Sequence, residues 1–454
     1  MVKKNEIIEV VIDEVEFPNK GIGKLDDKKV LVKNTIKGQK VKARVKKKRK
    51  NKIEANLIEV VEKASIEGEA LCEHFGICGG CSYQNISYEN QLKIKEEQVR
   101  KLLDSADIGE YNYLGIEGSP NEFEYRNKME FSFGDIEKGG PLSLGMHQKG
   151  KFYEIVTVHG CQIVDKDFRD ILVTILEYFR EKDVSFYHKK THKGVLRHLV
   201  VRKAIKTGEM LVNLVTSSQE QLNLTELIDN LKDINLEGEL KGFLHTINDG
   251  LADVVKSDET NVLYGQDYIV EEILGLKFKI SAFSFFQTNS LGADKLYSIV
   301  RDFAGNTDNK ILFDLYCGTG TIAQIMAPVA EKVIGIEIVE EAVEAAIENA
   351  KINNLDNCEF IAGDVMEKVV ELNEKPDLII LDPPRDGIHP KAINKIIDFS
   401  PEQFIYVSCK PTSLARDLPI FVEKGYKVTK VKCMDMFPHT PHVETVVKLQ
   451  RQNP

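Results

Sequence analysis

A cysteine near the end of the chain, Cys409, stands where a predicted strand meets a turn. Residues 404–407 are apolar or β-branched, a pattern typical of a buried strand. Pro411 ends that strand, because proline donates no ladder hydrogen bond and restricts the residue before it. Open α/β sheets place their chemistry at the carboxyl ends of strands, which makes Cys409 a candidate nucleophile. A cysteine is also a small residue that often packs in a core, so the position alone leaves both interpretations open.

From residue 311 onward the sequence shows a β-α-β pattern. Residues 311–316 predict a strand, a turn with two glycines follows at Gly318, and a helix then leads to a second strand that ends at Glu337. Glycines let a ligand approach the backbone, and Glu337, nineteen residues after Gly318, can accept both hydroxyls of a ribose. A nicotinamide-binding domain would show the same elements.

Two acidic strand ends favour S-adenosylmethionine over a nicotinamide. A third predicted strand ends near Asp364, as in methyltransferases that bind the adenine of this cofactor. A fourth ends in Asp-Pro-Pro-Arg at residues 382–385, where Asp382 would lie beside the methyl sulfonium. A dehydrogenase has no need of that rigid turn, so the pattern predicts a methyltransferase; a purely structural Asp382 is the alternative.

A strand that ends in Cys409 after Asp382-Pro-Pro narrows the chemistry. Methylation of an amino group uses the lone pair on nitrogen and needs no enzyme nucleophile. Carbon 5 of a pyrimidine becomes nucleophilic only after a thiolate adds to carbon 6, and a base must then remove the proton from carbon 5. Glu444, which starts the last predicted strand after a proline-constrained loop, is the candidate base, because burial can raise the pKa of a carboxylate toward neutrality.

Three other cysteines lie close together in the first quarter of the chain. They are Cys72, Cys78 and Cys81, and two glycines between the last two free the backbone to wrap the sulfurs around one centre. Cys161, after a predicted strand and turn, is a fourth candidate ligand. Four thiolates suit a tetrahedral Zn²⁺ or a [4Fe–4S] cluster. The spacing differs from the paired Cys-x-x-Cys of a zinc ribbon, so we expect a closed structural cluster; unrelated buried cysteines are the alternative.

The N-terminal segment is basic although the chain as a whole is acidic. Residues 1–64 carry 18 Lys and Arg against 10 Asp and Glu, whereas the formal charge of the chain is −10. Short alternating runs between residues 5 and 62 predict five strands of a small antiparallel barrel of the OB type, a fold that often binds nucleic acid. The basic run at 46–50 predicts either a hairpin tip that contacts phosphates or a solvated turn.

The middle of the chain mixes predicted strands and helices. Ser87 is a candidate N-cap for a helix near 88–104, which we expect to pack on the C-terminal domain, and a second helix is predicted around 165–179. Five basic residues alternate with apolar ones in the predicted strands, so one sheet face would present them to RNA or to solvent. These residues are Arg126, Lys128, Arg197, His198 and Arg202.

Length and composition predict a globular protein with more than one domain. At 454 residues the chain is too long for a single core, and its 42% hydrophobic and 29% charged residues are ordinary. No stretch approaches the ~18 uncharged apolar residues of a membrane span, and the start of the chain lacks the apolar core of a signal peptide. Eight cysteines in such a chain indicate metal binding or catalysis. We expect a cytoplasmic protein with no membrane contact.

Four motifs together resemble the bacterial RNA uracil-5-methyltransferase family. They are Tyr-Cys-Gly-Thr-Gly at 316–320, Leu-Asp-Pro-Pro-Arg at 381–385, Val-Ser-Cys-Lys-Pro at 407–411 with Leu-Ala-Arg-Asp at 414–417, and Phe-Pro-His-Thr-Pro-His-Val-Glu at 437–444. The N-terminal segment resembles the TRAM domain of that family. The cysteine quartet resembles the [4Fe–4S] site of the branch that acts on 23S ribosomal RNA.

The resemblance implies methylation of carbon 5 of a uridine in 23S rRNA, with Cys409 as the nucleophile and Glu444 as the proton acceptor. It implies a TRAM or OB-like barrel over 1–63, a central α+β domain with the iron–sulfur site and an RNA-facing sheet over 64–270, and a Rossmann-like α/β methyltransferase domain over 271–454. No obligate protein partner is expected. A tRNA uracil-5-methyltransferase of the same family and a non-catalytic RNA-binding module on a methyltransferase fold are the alternatives.

The resemblance also implies the ligand residues. Those around S-adenosylmethionine are Gln287, Tyr316, Gly318, Glu337, Asp364 and Asp382, and those of the cluster are Cys72, Cys78, Cys81 and Cys161. Lys410 stands where the family more often has asparagine. Thr321 stands where some members of the family have asparagine. A cation beside Cys409 would lower the pKa of that thiol, and the sequence leaves open whether Lys410 does so.

Overall fold

The computed structural model describes residues 3–252, 258–372 and 374–452. Six N-terminal strands form one sheet in the order β1-β5-β6-β4-β3-β2. Their bounds are β1 (Ile7–Val11), β2 (Glu14–Glu16), β3 (Lys20–Leu25), β4 (Lys28–Lys33), β5 (Lys40–Lys48) and β6 (Lys52–Glu62). Gly23 on β3 lies against β1, since a Cβ there would be 2.1 Å from the Val11 carbonyl oxygen, and this close approach curls the sheet into a barrel. The sequence predicted five strands; β2, with only three residues, is too short to show alternation.

The tip of the β5–β6 hairpin is basic, as predicted. Lys46, Lys47, Arg49 and Lys50 are exposed there, and Arg49 N–H closes the turn by donating to the Lys52 carbonyl at 2.7 Å.

A second sheet of seven strands follows, in the order β10-β9-β8-β11-β12-β13-β14. After α1 (Tyr88–Asp104) and β7 (Asn112–Glu117), its elements are β8 (Lys128–Gly134), β9 (Ser143–His147), β10 (Ile155–Thr157), α2 (Lys166–Glu181), β11 (Leu196–Lys203), β12 (Glu209–Thr216), α3 (Thr225–Asp233), β13 (Glu239–Ile247) and β14 (Glu259–Gly265). The apolar faces of α2 and α3 pack on the sheet in one core. Asp165 caps α2 by accepting from Phe168 N–H.

The expectation that Arg197, His198 and Arg202 face RNA is wrong. All eight residues of β11 are buried. The Arg197 guanidinium donates to the carbonyls of Asn248 and Gly250 at 2.6 and 2.7 Å, and Arg202 Nε donates to the Ala282 carbonyl at 3.2 Å. These arginines therefore tie irregular backbone to the sheet, which satisfies carbonyl groups that would otherwise be buried without partners.

The C-terminal sheet has eight strands in the order β19-β18-β17-β20-β21-β23-β22-β7. The elements are β15 (Tyr268–Ile273), β16 (Leu276–Ser281), α4 (Ser290–Ala304), β17 (Ile311–Leu315), α5 (Thr321–Met326), β18 (Lys332–Glu337), α6 (Glu340–Ile352), β19 (Cys358–Ala362), α7 (Val365–Lys368), β20 (Leu378–Leu381), α8 (Pro390–Asp398), β21 (Gln403–Ser408), α9 (Pro411–Glu423), β22 (Tyr426–Met434) and β23 (Glu444–Arg451). Strands β17 to β21 are parallel, and β23 runs antiparallel to β21.

Each face of this sheet is covered by helices. Leu312 belongs to the core on one face and Phe313 to the core on the other, which explains the continuous apolar runs of the parallel strands. The result is the Rossmann-like α/β fold that the sequence predicted.

Two elements from the middle of the chain join the C-terminal sheet. β7 pairs with β22 in parallel, and α1 lies against α9. The Lys95 ammonium on α1 is buried and lies 2.7 Å from Asp435 Oδ1. The predicted domain boundaries at 63 and 270 stay a prediction. Among the described residues there is no helix with the length and apolar character of a membrane span.

Candidate active site

The carboxyl edge of the C-terminal sheet carries a row of polar side chains. The central strands have the order β19-β18-β17-β20-β21. The residues at their carboxyl ends therefore lie side by side along one edge of the sheet. One cavity of about 1920 Å³ opens at this edge. It is lined by all eight residues that sequence analysis placed at the cofactor and in catalysis, namely Gln287, Tyr316, Gly318, Glu337, Asp364, Asp382, Cys409 and Glu444.

Glu337 and the glycine turn form one end of the cavity. The N–H groups of Gly318 and Val339 donate to the two carboxylate oxygens of Glu337, each at 3.0 Å. Gly320 has φ +72°, and a Cβ there would lie 2.6 Å from the Phe360 ring, so only glycine fits. An ionised carboxylate offers about four acceptor positions, so Glu337 keeps acceptors for two ribose hydroxyls.

Carboxylates continue along the cavity wall. Asp364 Oδ1 accepts from Met366 N–H at 2.8 Å and caps α7, which fixes the direction of its side chain. Desolvation raises the pKa of Asp382 to about 7. A cationic sulfonium beside Asp382 would favour its ionised form. This end of the cavity therefore fits S-adenosylmethionine, with acceptors for a ribose and an acid for the sulfonium.

Gln287 approaches the cavity from the loop before α4. Its side chain acts on the Tyr297 hydroxyl by lowering the pKa that burial raises, and its backbone carbonyl accepts from Asn127 Nδ2 at 3.0 Å. Both contacts hold the loop against the second sheet and α4.

Strand register places Cys409 opposite Glu444. In the antiparallel pair of β21 and β23, Ser408 pairs with Thr445, so the next position of this register matches Cys409 with Glu444. Directly opposed residues of such a ladder have Cα atoms about 4.5–5.5 Å apart. Glu444 is 5% exposed and Cys409 is half-buried, and both line the cavity. The predicted nucleophile and the predicted base are therefore neighbours.

Both groups have raised pKa values. Desolvation, and then the carboxylates of Glu444 and Asp382, raise the pKa of Cys409 to about 11, while Arg385 acts in the opposite direction. Desolvation and Asp382 raise the pKa of Glu444 to about 8, again against Arg385. A carboxylate in that range can both take up and release a proton near neutral pH, which suits a general base.

Arg385, and not Lys410, is the cation that acts on the Cys409 thiol. The Lys410 ammonium points to Asp386, with Nζ 3.5 Å from Oδ1. Desolvation outweighs the effect of Arg385, so the pKa of Cys409 is raised. Near neutral pH Cys409 is mainly a thiol in the free protein.

Sequence analysis gave no separate role to three residues of this cavity. They are Asp314, Phe285 and Arg385. Asp314 is fully buried, and its Oδ2 accepts from Ala323 N–H at 2.8 Å at the start of α5. The sequence feature that could have identified Asp314 is an acidic residue inside an otherwise apolar strand. Phe285 is 69% exposed at the cavity. No feature of the apolar sequence around it identified it as a functional residue. Arg385 belongs to a quoted motif, but only the fold shows that it faces Cys409 and Glu444.

The loop before Glu444 is held by residues from the middle of the chain. The His439 carbonyl accepts from the N–H groups of Ser82 and Tyr83 at 2.7 and 3.0 Å, and His439 N–H donates to Gln91 Oε1 at 2.8 Å. Desolvation lowers the pKa of His439 to about 4. His439 is therefore neutral, and its backbone contacts shape the loop. Through Ser82, the loop is also linked to the segment that contains Cys81.

The four predicted metal ligands lie together. Burial and the neighbouring thiols raise the pKa of Cys81 to about 12, and the same causes raise that of Cys161 to about 11; these interactions link all four cysteines. All four are free of disulfides. Glu73, His74 and His159 form the one trio of potential ligands, within the described part of the chain, whose ligand atoms all lie within 4.8 Å of one another.

Comparisons with known proteins agree with this site. The profile of the tRNA (Uracil-5-)-methyltransferase family matches residues 87–452, and that of the TRAM domain matches residues 2–58. An uncharacterized RNA methyltransferase of Clostridium tetani is 56% identical over 451 residues, which is 99% of each chain. Another, from Clostridium acetobutylicum, is 37% identical over 99% of this chain and 98% of its own.

A solved structure is similar along the whole chain. The Pyrococcus abyssi tRNA (uracil-54, C5)-methyltransferase in complex with S-adenosyl-L-homocysteine has a TM-score of 0.76 and 28% identity, over 97% of this chain and 100% of its own.

Proposed function

This chain belongs to the tRNA (uracil-5-)-methyltransferase family, and from that premise we propose that it methylates carbon 5 of a uridine in 23S rRNA through a covalent bond to Cys409. The enzyme is an S-adenosylmethionine-dependent RNA methyltransferase with an N-terminal TRAM domain. The single observation that carries the proposed mechanism is the register of β21 and β23, which sets a thiol opposite a carboxyl group in the cofactor cavity.

Cys409 first releases its thiol proton to solvent through the cavity that it lines, and the resulting thiolate adds to carbon 6 of the flipped uridine. The new S–C6 bond moves the electrons of the C5=C6 double bond to carbon 5, which becomes nucleophilic. S-adenosylmethionine supplies the methyl group that carbon 5 takes up. Glu444 then removes the proton from carbon 5, the C5=C6 bond re-forms and Cys409 leaves as a thiolate. Arg385 faces both groups and offsets the negative charge that appears during addition and elimination.

The cysteine quartet supports a [4Fe–4S] cluster and, with it, the ribosomal RNA substrate. The grouping of four thiols fits such a cluster. Cys72, Cys78, Cys81 and Cys161 would be its ligands, and the chain gives it a place beside the loop that carries Glu444. The cluster's role in this proposal is structural.

A tRNA uridine is the second candidate substrate. It is favoured by the similarity in fold to the Pyrococcus abyssi enzyme, which is a tRNA (uracil-54, C5)-methyltransferase. The chemistry at Cys409 would be the same, because only the surface that holds the RNA differs between the two substrates.

The substrate is tested by mapping 5-methyluridine. We expect the purified enzyme, supplied with S-adenosylmethionine and with RNA from cells that lack it, to form 5-methyluridine in 23S rRNA and none in tRNA. Mass spectrometry of nuclease fragments locates the product. Product in tRNA alone would contradict the ribosomal substrate and leave the chemistry intact.

Iron analysis tests the cluster. We expect about four iron atoms per chain after anaerobic purification and a loss of iron in Cys81→Ser. Cys358, which lies on β19 outside the quartet, provides the matched control, and Cys358→Ser should keep its iron. One tightly bound zinc in place of iron would contradict the cluster.

A further inference from the structure

Two aromatic rings project from the turn between β9 and β10. Phe152 is 62% exposed and Tyr153 is 44% exposed, and their ring centroids lie 5.0 Å apart in an edge-to-face arrangement. The turn is closed, because Gln148 N–H donates to the Glu154 carbonyl at 2.9 Å. Rings that remain exposed on a closed turn add little to the core, so folding does not explain them.

Two lysines of a neighbouring loop lie beside these rings. Lys189 Nζ lies 5.3 Å from the centroid of Phe152, and Lys190 Nζ lies 4.3 Å from that of Tyr153. The loop that carries them is closed by a hydrogen bond of 2.8 Å from His188 N–H to the Lys193 carbonyl. We call Phe152, Tyr153, Lys189 and Lys190 the aromatic–lysine patch.

The patch lies beside the approach to the active site. Gly79 N–H donates to the His147 carbonyl at 2.9 Å at the base of the same turn. Gly79 and Ser82 line the reaction cavity, and they also line a smaller cavity with Gln148 and with Asn34 of the barrel. A strand of RNA whose target base enters the cavity would therefore pass close to the patch.

We propose that the aromatic–lysine patch holds unpaired RNA next to the target uridine, with bases stacked on Phe152 and Tyr153 and phosphates on Lys189 and Lys190. Every base has a π face, so aromatic side chains bind single strands with little sequence preference, while cations along them contact the backbone. A flipped target leaves its neighbours unstacked, and exposed rings replace the lost stacking. The proposal rests on the RNA substrate of the proposed function and adds a binding surface outside the cavity.

RNA binding without methyl transfer tests the patch. Fluorescence anisotropy measures Kd for a labelled single-stranded RNA of mixed sequence, in the absence of S-adenosylmethionine. We expect about 10-fold weaker binding for each of Phe152→Ala and Tyr153→Ala. Phe152→Trp should bind like the wild type and Phe152→Leu like the alanine variant, because stacking requires a ring. Lys190→Ala should lower the slope of log Kd against log salt by about 0.7.

A lysine on α3, which lies over the opposite edge strand of the second sheet, gives the matched control. Lys232 Nζ lies 4.5 Å from the centroid of Tyr264 on β14, and Lys232→Ala should bind RNA like the wild type. If Phe152→Ala/Tyr153→Ala binds S-adenosylmethionine normally and keeps wild-type RNA affinity, the patch proposal is wrong. Because this assay involves neither transfer nor Cys409, a failure of the proposed substrate or mechanism leaves its result unchanged.

Discussion

The Cys409→Ala enzyme is expected to lose methyl transfer by about 10⁴-fold or more. Carbon 5 of uridine remains unreactive unless a thiolate has added to carbon 6. The register of β21 and β23 places the Cys409 thiol opposite Glu444. The substitution removes a single heavy atom from a half-buried side chain, so the fold and the cofactor site should persist. Target RNA with 5-fluorouridine should become trapped on the wild-type enzyme in the presence of S-adenosylmethionine and should stay free with Cys409→Ala.

The matched control is Cys358→Ala. Cys358 is the first residue of the edge strand β19 and is not among the residues that line the reaction cavity, so RNA in the cavity does not reach its thiol. This variant should trap 5-fluorouridine RNA as the wild type does. Trapping by Cys409→Ala, or full biological activity of that variant, would contradict covalent catalysis; the second result would favour a non-catalytic RNA-binding protein.

Glu444→Gln is expected to accumulate a covalent, already methylated RNA adduct on ordinary uridine RNA, with turnover reduced by about 10²–10⁴-fold. The amide keeps the volume of the carboxyl group but cannot take the carbon 5 proton, so elimination of Cys409 stalls after transfer. The adduct is measured as a band of RNA-linked protein on a denaturing gel. Since desolvation raises the pKa of Glu444 to about 8, release of product by the wild type should become faster as the pH rises toward and through that value.

A second buried glutamate separates this role from a structural one. Glu271 is fully buried outside the cavity and accepts from the N–H groups of Ile205 and Lys206 at 2.7 and 3.1 Å. Glu271→Gln should lower stability through the loss of these charge-assisted hydrogen bonds, with no adduct. Release of 5-methyluridine by Glu444→Gln at the wild-type rate would mean that another group is the base.

The parts that could be predicted depend on local order in the chain. Asp165 was the predicted first residue of a helix, and α2 begins at Lys166 because the Asp165 carboxylate caps it. Apolar runs that end in Glu337 and Asp382 indicated parallel strands with polar tips, and both residues line the cavity. Cys161, a candidate ligand after a predicted strand and turn, lies close enough to Cys72 and Cys78 for their charges to interact.

The parts that could not be predicted depend on what covers a surface. Alternation in β11 placed Arg197 and Arg202 among apolar residues, but it did not show that backbone near Asn248 and Ala282 lies over them and takes their hydrogen bonds. In the same way, the sequence puts Lys410 next to Cys409, yet the side chain turns to Asp386 and Arg385 acts on the thiol.

By itself the sequence determined the family of folds, the residues at the strand ends and the types of side chain that the reaction needs, because each follows from spacing along one strand or one turn. Only the tertiary structure decided which of those ends meet. The antiparallel return of β23 beside β21 brings Glu444 to Cys409, and the same packing removes water from both groups and raises their pKa values. Pairing between distant strands and desolvation are properties of the packed chain, so no stretch of sequence contains them.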